Sequence, residues 1–427
     1  ILFMGLISAV RNPMIGYGAS TIAVGSLDKT AGPKTADYPA QCSATDNLIH
    51  DTGEPEKQVA GVGIDIAQDI TVSHNSIYNM PRAGINVGDG CFGGHVISYN
   101  DVFATVLETG DHGAYNSWGR DRYWTSSTSG IESRVSSYAG LQLLDVVKPI
   151  TLANNRWRCD HGWDVDLDDG STNYVITNNI FLSGGLKWRE GYDRTADNNV
   201  FAGNAQMSVH VWPKNDGDVF THNVFGGYAP VSPDGWGKQL DYNLFGSAAA
   251  LTTARGYGVD AHSASGTPGF VNAGAGNFQL ASASPALALG IKSLPADTYG
   301  VTSLTLRAQA QTPPFGSNPG GGSTDAGTRD PTPETWRGAT VKNLVGLDEQ
   351  SATGIGGDIG ALITAVPAGS QAATDGLQVL DVILQFNGQS VVSLADLNRL
   401  YAAVATGQKI QLGVHRSQMD ITVSITR

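Results

Sequence analysis

An asparagine followed by apolar or aromatic residues recurs eight times in the first 250 positions: Asn47, Asn75, Asn100, Asn155, Asn179, Asn199, Asn223 and Asn243. The intervals run from 20 to 28 residues, apart from one of 55. Short β-prone runs at 70–72, 96–98, 150–152 and 174–176 stand just before their asparagines. Such a unit cannot bury an apolar face alone, so successive units must stack. The expected fold is all-β: a right-handed parallel β-helix solenoid. Asn suits the turn of each unit, because it tolerates left-handed backbone and bonds locally. Stacked Asn side chains can also bond to one another. The interval of 55 reads as two turns plus an insertion. An antiparallel sandwich would instead place strands every ~8–12 residues with hairpin turns, and no Asn-Gly pair interrupts the repeats.

One stretch concentrates charge. Residues 160–170 hold Asp160, Asp164, Asp166, Asp168 and Asp169, in a chain with only 15% charged residues. Read as a strand, Asp164, Asp166 and Asp168 share one face, and Val165 and Leu167 enter the core from the other. Carboxylates held this close raise at least one pKa, which suits acid/base chemistry or a metal. Asp168-Asp169-Gly170 also reads as a plain turn. The spacing is not an EF-hand, since its sixth position is Asp169 and its twelfth Val175.

Glycine, 54 of 427 residues, is well above the usual ~7% and suits a turn-dense β protein. A net charge of −13 disfavours nucleic acid or an anionic membrane as partner. Cys42, Cys91 and Cys159 form neither a disulfide framework nor a zinc pattern; three buried thiols are expected, with one disulfide plus a free thiol as the alternative. Ile1-Leu2-Phe3-Met4 opens abruptly in apolar sequence, as if a leader and N-terminal coils preceded it, which points to a secreted or periplasmic protein.

The insertion between Asn100 and Asn155 carries Asp111, His112, Trp118, Arg120, Asp121 and Trp124. Ser126–Gly130 reads as loop and 141–144 as helical. Loops leaving a rigid solenoid commonly build its binding face. With units in register, 111–124, 158–170, 185–194 and 208–215 become neighbours. His161, Trp163, Lys187, Arg189, Glu190, His210 and Trp212 then join the same side, His210 and Trp212 by alternation. Aromatic faces beside carboxylates and Arg suit a glycan cleft. Two carboxylates flanking a glycosidic bond can cleave it, one protonating the leaving oxygen and the other attacking or activating water. Asp121 with Asp164 or Asp166 are the expected catalytic residues, with a cation (Arg120, Lys187 or Arg189) keeping one ionised. The remaining residues contact carbohydrate. No cofactor is expected, with Ca2+ left open because a polysaccharide lyase would need it. A non-catalytic glycan-binding scaffold is the third reading.

Asp111-His112-Gly113 through Trp118-Gly119-Arg120-Asp121-Arg122, with 155–164 and 166–171, resembles the parallel β-helix enzymes of glycoside hydrolase family 141. The resemblance spans about 45–230. It implies hydrolysis of plant-type polysaccharide, fucosidase- or xylanase-like, by an aspartate pair placed on Asp121 and Asp164 or Asp166.

Beyond the solenoid at 1–310, residues 311–334 hold Pro313-Pro314 and Asn318-Pro319-Gly320-Gly321-Gly322-Ser323, the composition of a flexible linker. Residues 335–427 resemble a PDZ domain of the bacterial protease type, carried by 360–366, 369–373, 376–383, Asn387-Gly388 and a helix near 394–404. The resemblance implies a peptide C-terminus as partner. Its carboxylate would sit at Trp336-Arg337-Gly338-Ala339, although Ala339 stands where the family prefers a larger apolar residue.

Overall fold

The computed structural model of the chain describes residues 39–88, 92–118, 121–315, 330–355, 357–417 and 419–427. The protein is mostly β, and it divides into two compact units after Gly321. Among the described residues, no helix is long and apolar enough to cross a membrane.

The first unit is built on three parallel sheets that the chain visits in rotation. Among the described residues, eight strands from Ser43–Thr45 to Gln239–Asp241 form the first sheet, and nine from Leu48–His50 to Ala264–Ser265 form the second. The third holds seven: β1 (Val62–Ile64), β2 (Ile85–Val87), β3 (Gly113–Trp118), β4 (Trp163–Asp168), β5 (Leu186–Trp188), β6 (Met207–Val209) and β7 (Tyr228–Pro230). Each strand pairs with the strand one circuit on, an arrangement that fits a β-helix.

The asparagines form a ladder at the corner between the first two sheets. Nδ2 of Asn75, Asn100, Asn155, Asn179 and Asn199 donates to Oδ1 of the next rung at 2.9–3.0 Å. Each also reaches a backbone carbonyl of the preceding circuit, as Asn155 reaches Ile97 at 2.8 Å. Three expectations are corrected here. Asn100 bonds Asn155 directly, so the 55-residue interval is one circuit carrying an insertion, not two. The left-handed residue is not the ladder Asn but the one before it: His74, Tyr99, Asn154, Asn178, Asn198, His222 and Tyr242 all have φ between 53° and 58°. Their strain, roughly 1–2 kcal/mol each for non-glycine residues, is offset by the ladder bonds. Cys42 is exposed rather than buried; it and buried Cys159 are free thiols, and Cys91 lies outside the described residues.

Inside the sheets, Val165, Leu167, Leu186, Trp188, Met207 and Val209 are fully buried in one cluster, each contributing about 1.5–3 kcal/mol of apolar transfer. The insertion holds helix α1 (Thr128–Ser137), capped by Ser127, over part of the stretch expected as loop, then a 3-10 turn at Leu141–Leu143. Its base is closed by the buried pair Arg122–Asp145 at 2.5 Å. Its small core, Tyr123, Ile131 and Leu141, packs on Tyr192 of the sheet unit.

The second unit has its own core around Val341, Ile363, Ile383, Leu397 and Leu412. Its antiparallel sheet starts with β8 (Glu334–Trp336), β9 (Ala339–Asn343) and β10 (Ala361–Ala365). Helix α2 (Leu394–Ala402), capped by Ser393, packs against it.

Candidate functional site

Register places one row of polar residues on the face of the third sheet away from the core. Asn86, Asn116, Asp166, Lys187 and Ser208 follow one another across β2 to β6. Trp118 and Asp168 pair one step outside that row. With its amide nitrogen turned toward the acid, Asn116 Nδ2 donates to Asp166 Oδ2 at 3.3 Å.

Lys187 is the centre of the row. Its ammonium has no solvent exposure, yet Asp166, Asp168 and Asp111 oxygens stand 2.9, 3.2 and 3.5 Å from it. The Trp163 ring covers it at 4.0 Å. A buried ammonium would ordinarily shed its proton, but three carboxylates around it keep its pKa above the usual lysine value. Asp166, the deepest carboxylate, is pushed well above the usual range, first by burial and then by Asp168 and Asp111, against the pull of Lys187. Burial also works on Asp168, but Lys187 and Arg189 overcome it and hold its carboxyl at about 2. Two adjacent carboxyls are thus driven apart in acidity, Asp166 upward and Asp168 downward, which marks Asp168 as the ionised carboxylate of the cluster.

A groove of ≈ 370 Å³ opens beside this cluster, lined by Gln58, Arg82, Asp111, His112, Trp118 and Asp168 together with Asn116. Asp111 is its most open carboxylate, with 45% side-chain exposure against 20% for Asp168. Arg82 Nε donates to His112 Nε2 at 3.2 Å, and His112 Nδ1 meets Thr109 Oγ1 at 3.1 Å. Burial, then the nearby Arg82 charge, lowers the His112 pKa to about 4, so the ring is neutral at pH 7.

The structure brings Asp111, His112, Trp118, Trp163, Asp166 and Lys187 together as the sequence suggested, and moves several others away. Asp164 is not in the row with Asp166. Alternation fails at the start of β4, where the Trp163 indole takes the outer position and donates to Ser208 at 3.3 Å. Asp164 instead accepts backbone N–H groups from Cys159, Ser183 and Gly184 at 2.7–3.0 Å, tying two turns together. Burial raises its pKa to about 7 against those donors. Asp121 is buried at the root of the insertion, beside Tyr123, and is not among the groove residues. Trp212 is a core residue at 0% exposure, packed on Trp188 and Trp236. Strand β6 ends at Val209, so alternation does not carry on to 212. His210 is buried edge-on to Trp163 at 5.8 Å. His161 is exposed in the turn before β4. Arg189 and Glu190 lie behind the groove. Arg189 pairs with Glu190 at 2.7 Å, and Glu190 accepts from Trp124 Nε1 at 3.0 Å, docking the insertion on the sheet. Arg120 lies outside the described residues. Sequence reasoning missed Arg82, Asn86, Asn116 and Gln58. The signal for Gln58, Arg82 and Asn86 was the register of the circuits before the insertion; Asn116 stands two residues before Trp118 in the 111–124 stretch, opposite Asp166.

Comparison with known proteins bears on the second unit. Residues 338–426 are a PDZ domain. That segment is of the bacterial protease type: it is 37% identical over 92 residues to a probable periplasmic serine endoprotease, DegP-like, of Pseudomonas putida strain GB-1, covering 21% of this chain and 19% of that protein. It is 36% identical over 99 residues to the magnetosome formation protease MamE of Magnetospirillum gryphiswaldense, covering 22% of this chain and 13% of that one. A solved structure of the HtrA3 PDZ domain bound to a phage-derived ligand matches at 21% identity and a TM-score of 0.18, over 22% of this chain and 86% of that one. The chain thus spans 19% and 13% of the lengths of these two protease relatives.

Proposed function

We propose that the three-sheet unit is a right-handed parallel β-helix of the family 141 kind and hydrolyses glycosidic bonds of plant-type polysaccharide in the Asp111–Asp168 groove. The observation that carries this reading is the pair of groove carboxylates, Asp111 and Asp168, both within 3.5 Å of buried Lys187 and beside Trp118. Asp168, held ionised by Lys187 and Arg189, attacks the anomeric carbon or activates water; Asp111, the more open carboxylate, protonates the leaving oxygen. Trp118 offers a sugar ring its flat face. On this reading Asp111 and Asp168 carry the reaction, in place of Asp121, Asp164 and Asp166. Screening sugars released from plant polysaccharides by the full chain, with Asp111→Asn, Asp168→Asn and Asp121→Asn, tests it. Loss of product in the first two and retention in the third is expected; full activity in Asp168→Asn sinks the assignment. Unsaturated, ultraviolet-absorbing products abolished by EDTA would make the unit a calcium-dependent lyase. Binding without any product would make it a glycan-binding scaffold. We propose further that the PDZ domain takes a peptide C-terminus and that the protein is periplasmic or secreted, supported by the periplasmic protease relatives of that segment.

A further inference from the structure

A PDZ domain captures a peptide as an added strand along a free sheet edge. In the second unit that edge is not free. Strand β9 pairs with β10 on one side, Val341 opposite Ile363. On its other side it pairs antiparallel with β8, in the register Trp336 with Ala339, Thr335 with Thr340 and Glu334 with Val341. The connection is Arg337-Gly338, with φ of 52° and 80°, the two left-handed residues of a type I′ hairpin. Helix α2 closes over the same strand: Asn398 Nδ2 donates to Glu334 Oε2 at 2.8 Å, and the Tyr401 ring meets Trp336 edge-on at 5.3 Å. Arg337 fixes the turn, donating to Asp375 at 2.5 Å and to the Tyr401 hydroxyl at 2.8 Å. So β8 lies between β9 and α2, where an added strand would lie.

We infer that Glu334–Trp336 is a built-in occupant of the PDZ ligand edge, and that a partner's C-terminal segment binds by displacing it. The inference rests on the peptide-binding reading above. Three residues of pairing make β8 a weak competitor, and Glu334 and Thr335 are exposed. Only Trp336 is buried, at 4% exposure among the domain's core residues. The displacing peptide therefore carries a large apolar C-terminal side chain to take over the space of that indole. In a two-residue hairpin the flanking pair exchanges both hydrogen bonds, so Glu334 and Val341 form the next such pair. Glu334→Pro removes that N–H donor and the Asn398 clasp together, without touching β9. Asn398→Ala removes the clasp alone.

Fluorescein-labelled peptides with randomised sequence, ending in free Phe, Trp, Leu or Val, are titrated onto the full chain and both variants by anisotropy. Amidated peptides are the control. The expected result is at least tenfold tighter binding to Glu334→Pro than to the native chain, a smaller gain for Asn398→Ala, and no gain with amidated ends. Equal affinity in all three chains overturns the occlusion and leaves peptide capture standing. No binding to any chain overturns peptide capture, and the occlusion with it. A gain shared by the amidated peptides overturns both, since a carboxylate-independent surface would then be responsible.

Discussion

Replacing Lys187 with Met is the sharpest test of the physical argument, because it keeps most of the aliphatic volume and removes one charge. In the native chain the ammonium faces oxygens of Asp166, Asp168 and Asp111 at 2.9, 3.2 and 3.5 Å, with neither Lys187 nor Asp166 exposed. Removing one partner of a buried ionic group strands the others, at a cost of about 3–5 kcal/mol. That is a large part of the ~5–15 kcal/mol that holds a typical domain. The deficit also depends on pH, and its sign follows from Asp168. In the native chain Asp168 titrates at about 2, below the ~3.9 of an unfolded Asp. It therefore adds stability that is present above ~3.9 and lost as pH falls toward 2. Without Lys187 fewer cations oppose the burial of Asp168, so its folded value rises and that stabilisation shrinks. Asp166, already raised by burial, loses the same counter-charge and moves further up, so its contribution is present at low pH and lost as pH rises. The deficit of the variant is therefore smaller at pH 5 than at pH 7. Urea denaturation followed by indole fluorescence at both pH values measures this. A deficit under about 1 kcal/mol at pH 7, or one that does not change with pH, refutes the shared-ammonium account.

Three further outcomes follow from the framework. Asn155→Ala leaves the Asn100 Nδ2 and Ile97 carbonyl without their rung and lowers stability by about 3 kcal/mol, read by the same urea titration. Asn154→Val, at φ 56°, costs about 1–2 kcal/mol, whereas Asn154→Gly stays within roughly 0.5 kcal/mol of the native chain; thermal scans of both variants separate the two. Asp164→Asn weakens the turn at Cys159, Ser183 and Gly184 by about 2 kcal/mol. Because the folded Asp164 carboxyl titrates at about 7, above its unfolded ~3.9, the native chain loses stability from that group as pH rises from ~4 through 7, and the Asn variant lacks this slope.

The repeat was legible because a buried Asn in every circuit is a rigid chemical requirement that survives in one sequence. Which residue of the turn carries the left-handed strain was not, since His74, Tyr99 and Tyr242 advertise no such preference. The Asp166–Lys187 row followed from simple alternation. Alternation failed twice, for one reason: strands of three to six residues begin and end abruptly. Trp163 and Asp164 sit at a strand start and Trp212 beyond a strand end, so a period of two could not be extended to them. The Arg82 and Asn86 side of the groove depended on register across an insertion whose circuit was miscounted. In the second unit the helix at 394–402 was expected close to its place, whereas the pairing of Glu334–Trp336 with β9 left no mark in composition.

The 55-residue circuit makes the same 2.9 Å rung between Asn100 and Asn155 that a 25-residue circuit makes between Asn75 and Asn100. Contour length between rungs is therefore decoupled from the framework. A chain wound this way can lengthen or exchange an excursion on one circuit, and so remodel the face that excursion covers, while the racks that hold Asp168 and Lys187 keep their positions.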